Sequence, residues 1–70
     1  MEFKDKVLHV RALLKLSQTE LSQELGVGIA TVCRWESGRT MPNKRDQYVF
    51  NLYCEKNNIV FNEVKQDEEI

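Results

Sequence analysis

Seventy residues with a formal net charge of −1 make at most one domain, and a chain of this size buries only about 60% of the surface its unfolded form exposes. No apolar run approaches the roughly 20 residues that span a bilayer. The opening MEFKDKVLHV is charged where a secretory signal is apolar, so a cytoplasmic home is expected. A single histidine, the lack of a phosphate loop and the small bulk of the chain argue against an enzyme, and no cofactor is implied.

The first periodic segment runs from about Glu2 to Lys15. Phe3, Val7, Val10 and Leu14 recur at steps of three or four, which marks a helix with one buried face. His9 is read as a solvent-facing residue of that helix. Ser17 stands three residues before Glu20, the spacing of a capping box, in which each side chain satisfies a free N–H at a helix start. A short second helix therefore covers about Gln18 to Leu25 and buries Leu21 and Leu25. Gly26 ends it, because a left-handed residue is least strained as glycine.

A third helix is predicted from just after Gly28 to about Glu36 or Ser37, with Val32 and Trp35 on its inner face and Gly38 closing it. Trp35 is read as core rather than as a stacking platform, because it shares a face with Val32. Pro42 lies in SGRTMPNK, the one clear loop. Asn43 is a good N-cap for a fourth helix reaching about Lys56 or Asn57. In its segment YVFNLYC six of seven positions are apolar or aromatic, more than one helix face requires. Tyr48, Val49, Leu52 and Tyr53 cluster on one side, and Phe50 and Cys54 fall on the other. The second patch, Phe50 and Cys54, is expected to serve a contact beyond the domain core, with a two-fold homodimer as the natural partner. Ile59, Phe61 and Val64 are compatible with a short fifth helix or an extended strand; the helix is favoured, since no partner strand is visible and a lone strand leaves its backbone unpaired.

Charge is unevenly placed. Residues 1–26 balance. Residues 27–45 carry Arg34, Arg39, Lys44 and Arg45 against Glu36 alone, and the end, NEVKQDEEI, sets Glu63, Asp67, Glu68 and Glu69 against Lys65. Such a basic middle favours a polyanionic partner. Cys33 and Cys54 are too few for a disulfide framework and lack the short spacing of a metal site. With His9 they make three potential ligands where structural zinc takes four, so two reduced thiols and no metal is the expected state.

A short helix, a tight glycine turn and a second short helix make a helix-turn-helix, whose second helix can protrude toward a major groove. The segment SQTELSQELGVGIATVCRWESGRTMP resembles the DNA-binding domains of phage Cro and C1 repressors and their bacterial, XRE-like relatives. The matching residues are Gln18, Leu21, Leu25, Gly26, Val27, Thr31, Val32, Arg34, Trp35, Glu36, Gly38 and Pro42, and the resemblance extends over roughly residues 3–64. It implies an all-α, lambda-repressor-like domain of four to five helices over residues 1–64, followed by an acidic tail at 65–70.

The resemblance also implies site roles. Ile29, Ala30, Cys33 and Arg34 occupy base-reading positions, where Arg34 can bond a guanine bidentately and Ile29 and Ala30 can touch thymine methyls. Ser17, Gln18, Thr31, Ser37, Arg39 and Lys44 are placed against phosphates. Arg11 and Glu36 match a pair that ties the first helix to the third, a structural role. Three positions depart from the family pattern: Gly28 where Ser or Thr usually caps, Ile29 where a polar side chain is common, and Ser22 where Ala is usual. The first two favour apolar contact with thymines, or a partner other than DNA.

Two functions are therefore carried forward. One is a sequence-specific regulator of double-stranded DNA, acting as a homodimer on a near-palindromic operator and repressing by occlusion. The alternative is a protein-interaction module of the same fold, including an antitoxin whose acidic tail contacts a protein partner. No membrane partner is expected.

Overall fold

Local chemistry sets the helix boundaries. In the computed structural model, which describes residues 2–39 and 41–61, four helices follow one another: α1 (Phe3–Leu14), α2 (Gln18–Leu25), α3 (Ile29–Ser37) and α4 (Lys44–Lys56). At the start of α2 the Ser17 hydroxyl accepts from the Glu20 backbone N–H at 3.0 Å, and Glu20 accepts from the Ser17 N–H at 2.8 Å. Both halves of the capping box are thus formed. Asn43 caps α4 by accepting from the Asp46 N–H at 2.8 Å. α1 stops where Lys15 adopts the left-handed conformation.

The turn between α2 and α3 is short because Gly26 reverses the chain at φ 74°. The Val27 N–H then reaches back to the Ser22 carbonyl at 3.0 Å, which satisfies a carbonyl the helix end leaves open. Gly28 serves as N-cap of α3 in extended backbone and supplies no side-chain bond. Gly38 closes α3 at φ 76°.

The core lies where the inner faces of the four helices meet. Val7 and Val10 come from α1, Leu21 and Leu25 from α2, Val32 and Trp35 from α3, and Phe50 and Cys54 from α4; Ile59 closes it from beyond α4. Phe3 packs edge-on against both Trp35 and Phe50, at centroid separations of 5.2 and 4.9 Å. Edge-to-face pairs of this kind add to burial and fix α1 and α4 against the inner side of α3. Burial pushes the Cys54 thiol up to about 11, so it is a neutral thiol at pH 7 and packs as a small apolar group. Burial, with the neighbouring Glu24 carboxylate second, likewise raises Tyr53 above its ordinary 10.0.

Two sequence expectations are corrected here. Phe50 is fully buried and Cys54 is buried beside it, while Tyr48 is 64% and Leu52 38% exposed. Phe50 and Cys54 therefore face inward, with Val49 and Tyr53 packed on the edge of the core, and Phe50 with Cys54 is no dimer surface. Phe50 is the larger group, and turning it inward lets it meet Phe3 and Trp35. Residues 59–61 are not helical: Asn58 takes a left-handed φ of 58° that breaks the helical path. From there Ile59 reaches the core and Phe61 packs on its edge. Val64 and the remainder of the expected fifth helix lie outside the described residues, as does the acidic tail at 65–70.

A polar cluster ties three helices together. The Arg11 guanidinium donates from Nη1 to both carboxylate oxygens of Glu36, at 3.1 and 2.8 Å, and from Nε to the Leu16 carbonyl at 3.0 Å. Gln18 Nε2 donates to Glu36 Oε1 at 2.7 Å. The Glu36 side chain is 11% exposed and that of Arg11 26%. Glu36 thus gathers donors from α1 and α2 onto α3, while Arg11 also holds the chain between α1 and α2.

Two stability outcomes follow from these contacts. Gly26→Ala is expected to lower stability by about 1–2 kcal/mol through left-handed strain alone, since nothing lies near its missing Cβ. Gly28→Ser, at a φ open to any residue and in open space, is expected to raise it by about 0.5–1 kcal/mol. Thermal unfolding reads both signs, and a stabilising Gly26→Ala would contradict the assignment. In a double-mutant cycle of Arg11→Met and Glu36→Gln, each single change is expected to cost about 1–3 kcal/mol. The double change should cost clearly less than their sum; additive losses would show that the two side chains do not support one another.

Candidate nucleic-acid interface

The two faces of α3 differ sharply. Val32 and Trp35 are buried, so α3 is pinned along its inner side. Ile29, Ala30, Cys33 and Arg34 are all exposed. Their spacing of one, four and five residues places them on one stripe of the helix. Each of the four expected base-reading residues is thus at the surface and on the same side. Ile29 is 45% exposed, a large apolar group left open at the first turn.

Arg34 sits near the C-terminal end of this stripe. Its Nη2 lies 3.4 Å from Thr31 Oγ1, a long bond that leaves the guanidinium free to reorient. The Ser37 hydroxyl donates to the Arg34 carbonyl at 2.7 Å and accepts the Arg39 N–H at 3.3 Å. It therefore shapes the exit of α3, and its hydroxyl proton is already used. Arg39 and Lys44 are exposed at the two ends of the loop between α3 and α4, and Arg45 is exposed beside Lys44. Arg39 therefore follows α3 directly, while Lys44 and Arg45 open α4. Thr31 is half-buried at the edge of the stripe.

Ser17 and Gln18 approach from the start of α2. Ser17 is exposed and its oxygen accepts within the capping box, which leaves its O–H free to donate. Gln18 is more constrained than its sequence role suggested. One N–H of its amide goes to Glu36, and its carbonyl oxygen accepts the Cys33 thiol at 3.2 Å. The second N–H of Nε2 remains available. The link runs unbroken from Arg11 through Glu36 and Gln18 to Cys33. It joins the partly buried ion pair to the exposed face of α3. Sequence spacing holds no signal for the Gln18–Cys33 contact, because it depends on the angle at which α2 crosses α3.

The stripe is exposed along its length, so it presents groups to a partner. Among the described residues no cluster of three or more His, Cys, Asp or Glu side chains could hold a metal ion. Cys33 is exposed and Cys54 buried. No described helix is long and apolar enough to cross a membrane.

Comparison with known proteins agrees with this geometry. A family model for the helix-turn-helix matches residues 9–46, just over half of the 70-residue chain. The match covers the C-terminal half of α1, all of α2 and α3, and the first residues of α4. No curated protein and no solved structure matches the chain. With its glycine-turned α2–α3 pair inside the matched span and the outer face of α3 open, the chain belongs to the Cro/C1-type helix-turn-helix family of DNA-binding regulators.

Proposed function

We propose that the protein is a sequence-specific regulator that inserts α3 into the major groove of double-stranded DNA. Its simplest mode of action is repression, as a homodimer occluding a promoter at a near-palindromic operator in the cytoplasm. The observation that carries this reading is the exposed stripe Ile29, Ala30, Cys33 and Arg34 on a helix whose other side is buried. An α-helix of this kind fits the major groove, where the donor and acceptor pattern distinguishes all four base pairs.

Arg34 is the polar reader. Its fork matches O6 and N7 of guanine, whereas Ile29 and Ala30 supply apolar contact to thymine methyls. Cys33 lies between them as a small, weakly polar group. Ser17 and the free N–H of Gln18 would meet phosphates on one side of the groove. Arg39 and Lys44 would meet them on the other, with Thr31 at the edge and Ser37 joining only by giving up its bond to the Arg34 carbonyl. Contacts of this second kind set register and orientation and carry no sequence information.

A specific observation keeps a second reading in view. The exposure of Ile29 also suits an apolar protein surface, as in an antitoxin or another interaction module on this fold. The two differ in their response to salt, because neutralised phosphates release counterions and an apolar interface does not.

Duplexes selected from a random pool, then titrated at rising salt, test the proposal. With Arg39 and Lys44 neutralising phosphates in each of two subunits, log K is expected to fall against log salt with a slope of roughly −3 to −4. Arg39→Ala should flatten that slope by about one unit per subunit and weaken every sequence alike. Arg34→Ala should cost about 1–3 kcal/mol and relax preference at one base pair per half-site. Binding that ignores salt, or an Arg34→Ala loss spread evenly over all sequences, would overturn it.

A further inference from the structure

With Phe50 and Cys54 turned inward, α4 presents a different side outward. Arg45, Tyr48, Leu52 and Glu55 are all exposed. Their spacing is three, four, three. At about 100° per residue this spacing keeps all four within roughly 80° of one another on the helix surface. It is the spacing of a coiled-coil seam, in which positions a and d recur along the contact line. Tyr48 and Leu52 form its apolar centre, and the two ends carry opposite charge.

We infer that this seam is the homodimer interface, formed by antiparallel packing of α4 against α4 of a second copy. The inference rests on the homodimer proposed above and names the surface that would make it. Charge placement selects the orientation. In an antiparallel pair with its two-fold axis level with residue 50, Tyr48 packs against the partner's Leu52, and Arg45 meets the partner's Glu55. The same two contacts recur on the other side of the axis, so the surface is complementary to itself, as a two-fold interface requires. A parallel pair would instead set Arg45 against Arg45 and Glu55 against Glu55.

The contact runs over eleven residues, about 15 Å of helix, and a seam of that length falls below the roughly 1,200 Å² of a standard stable interface. Association in free solution is therefore weak and concentration-dependent, and a second subunit would be recruited mainly on an operator. A weak solution dimer joined on DNA makes operator occupancy rise steeply with protein concentration.

The test is sedimentation equilibrium of the full chain without DNA, from micromolar to about millimolar concentration. The wild type should follow a monomer–dimer equilibrium. Arg45→Glu and Glu55→Arg should each weaken it about tenfold, because each replaces two attractive contacts per dimer by two repulsive ones. The double change Arg45→Glu with Glu55→Arg should restore dimerisation to near the wild-type level. Tyr48→Ser should also weaken it, and circular dichroism should show all four variants as helical as the wild type. A chain that stays monomeric throughout, single reversals that leave the equilibrium unmoved, or a double reversal that fails to rescue would each overturn the inference. Because no DNA is present, these outcomes are separate from a failure to bind duplexes, which bears on the function alone.

Discussion

The Glu36 carboxylate is the point on which the rest of the molecule turns. It accepts three hydrogen bonds, two from Arg11 on α1 and one from Gln18 on α2, while standing on α3 itself. Apolar burial drives the collapse of such a chain but is non-directional. Among the described residues the buried apolar core is small, nine side chains, and aliphatic groups such as Val7, Val10 and Val32 tolerate sliding. The Arg11–Glu36 pair does not, because one rigid guanidinium plane is held at two points, by Nη1 on both oxygens of Glu36 and by Nε on the Leu16 carbonyl. The crossing of α1 on α3 is therefore set by the ion pair, and that of α2 on α3 by the Gln18 bond together with the Gly26 turn. Both elements of the helix-turn-helix are referred to one carboxylate.

This arrangement explains how so small a body can hold α3 with its outer face open. α3 has only nine residues, too short to be stable alone. It is held by Val32 and Trp35 on its inner side, by Glu36 at its C-terminal end and by the Phe3–Trp35–Phe50 cluster beneath it. Its outer residues carry none of that burden and can differ without unfolding the protein. The exception is Cys33, whose thiol bonds to Gln18. A contact side chain at that position is thereby in touch with the same network that fixes the helix angle. The exposed stripe and the architecture are separated by face, and they meet at this one bond.

Local chemistry made most of the fold legible. The Ser17–Glu20 capping box, the Asn43 cap and the left-handed glycines at 26 and 38 act within a few residues, and each is formed as the spacing required. The inner faces of α1, α2 and α3 followed from periodicity because each has one apolar stripe. α4 was different. Its run from Tyr48 to Cys54 is apolar on both sides, so periodicity offers two solutions of similar weight. The choice depends on Phe3 and Trp35, which are distant in sequence and create the aromatic pocket that Phe50 fills. The path after Asn57 was hidden for a related reason: a left-handed Asn58 is permitted for asparagine but not signalled by it. At the candidate interface the exposed stripe could be read from the helix period, and the Arg11–Glu36 pair came from the resemblance. The engagement of Gln18 by both Glu36 and Cys33 could not be read, since it exists only once two helices have crossed.

The composition of the α3 stripe limits how this protein could discriminate DNA sequences. Only Arg34 among Ile29, Ala30, Cys33 and Arg34 has the paired donors of a strong polar reader. One bidentate contact supplies about 1–3 kcal/mol of discrimination, while specific binding generally exceeds non-specific binding by about 4–10 kcal/mol. On the proposed reading, a single subunit therefore falls short. Two subunits double the polar term to about 2–6 kcal/mol, which reaches the lower part of the required range. The remainder must come from thymine-methyl contacts at Ile29 and Ala30 and from the shape and stiffness of the duplex between half-sites, which are read as deformation energy. An operator for this protein should then be defined as much by the spacing and flexibility of its centre as by the few base pairs under α3. The geometry of the subunit pairing becomes part of the recognition code.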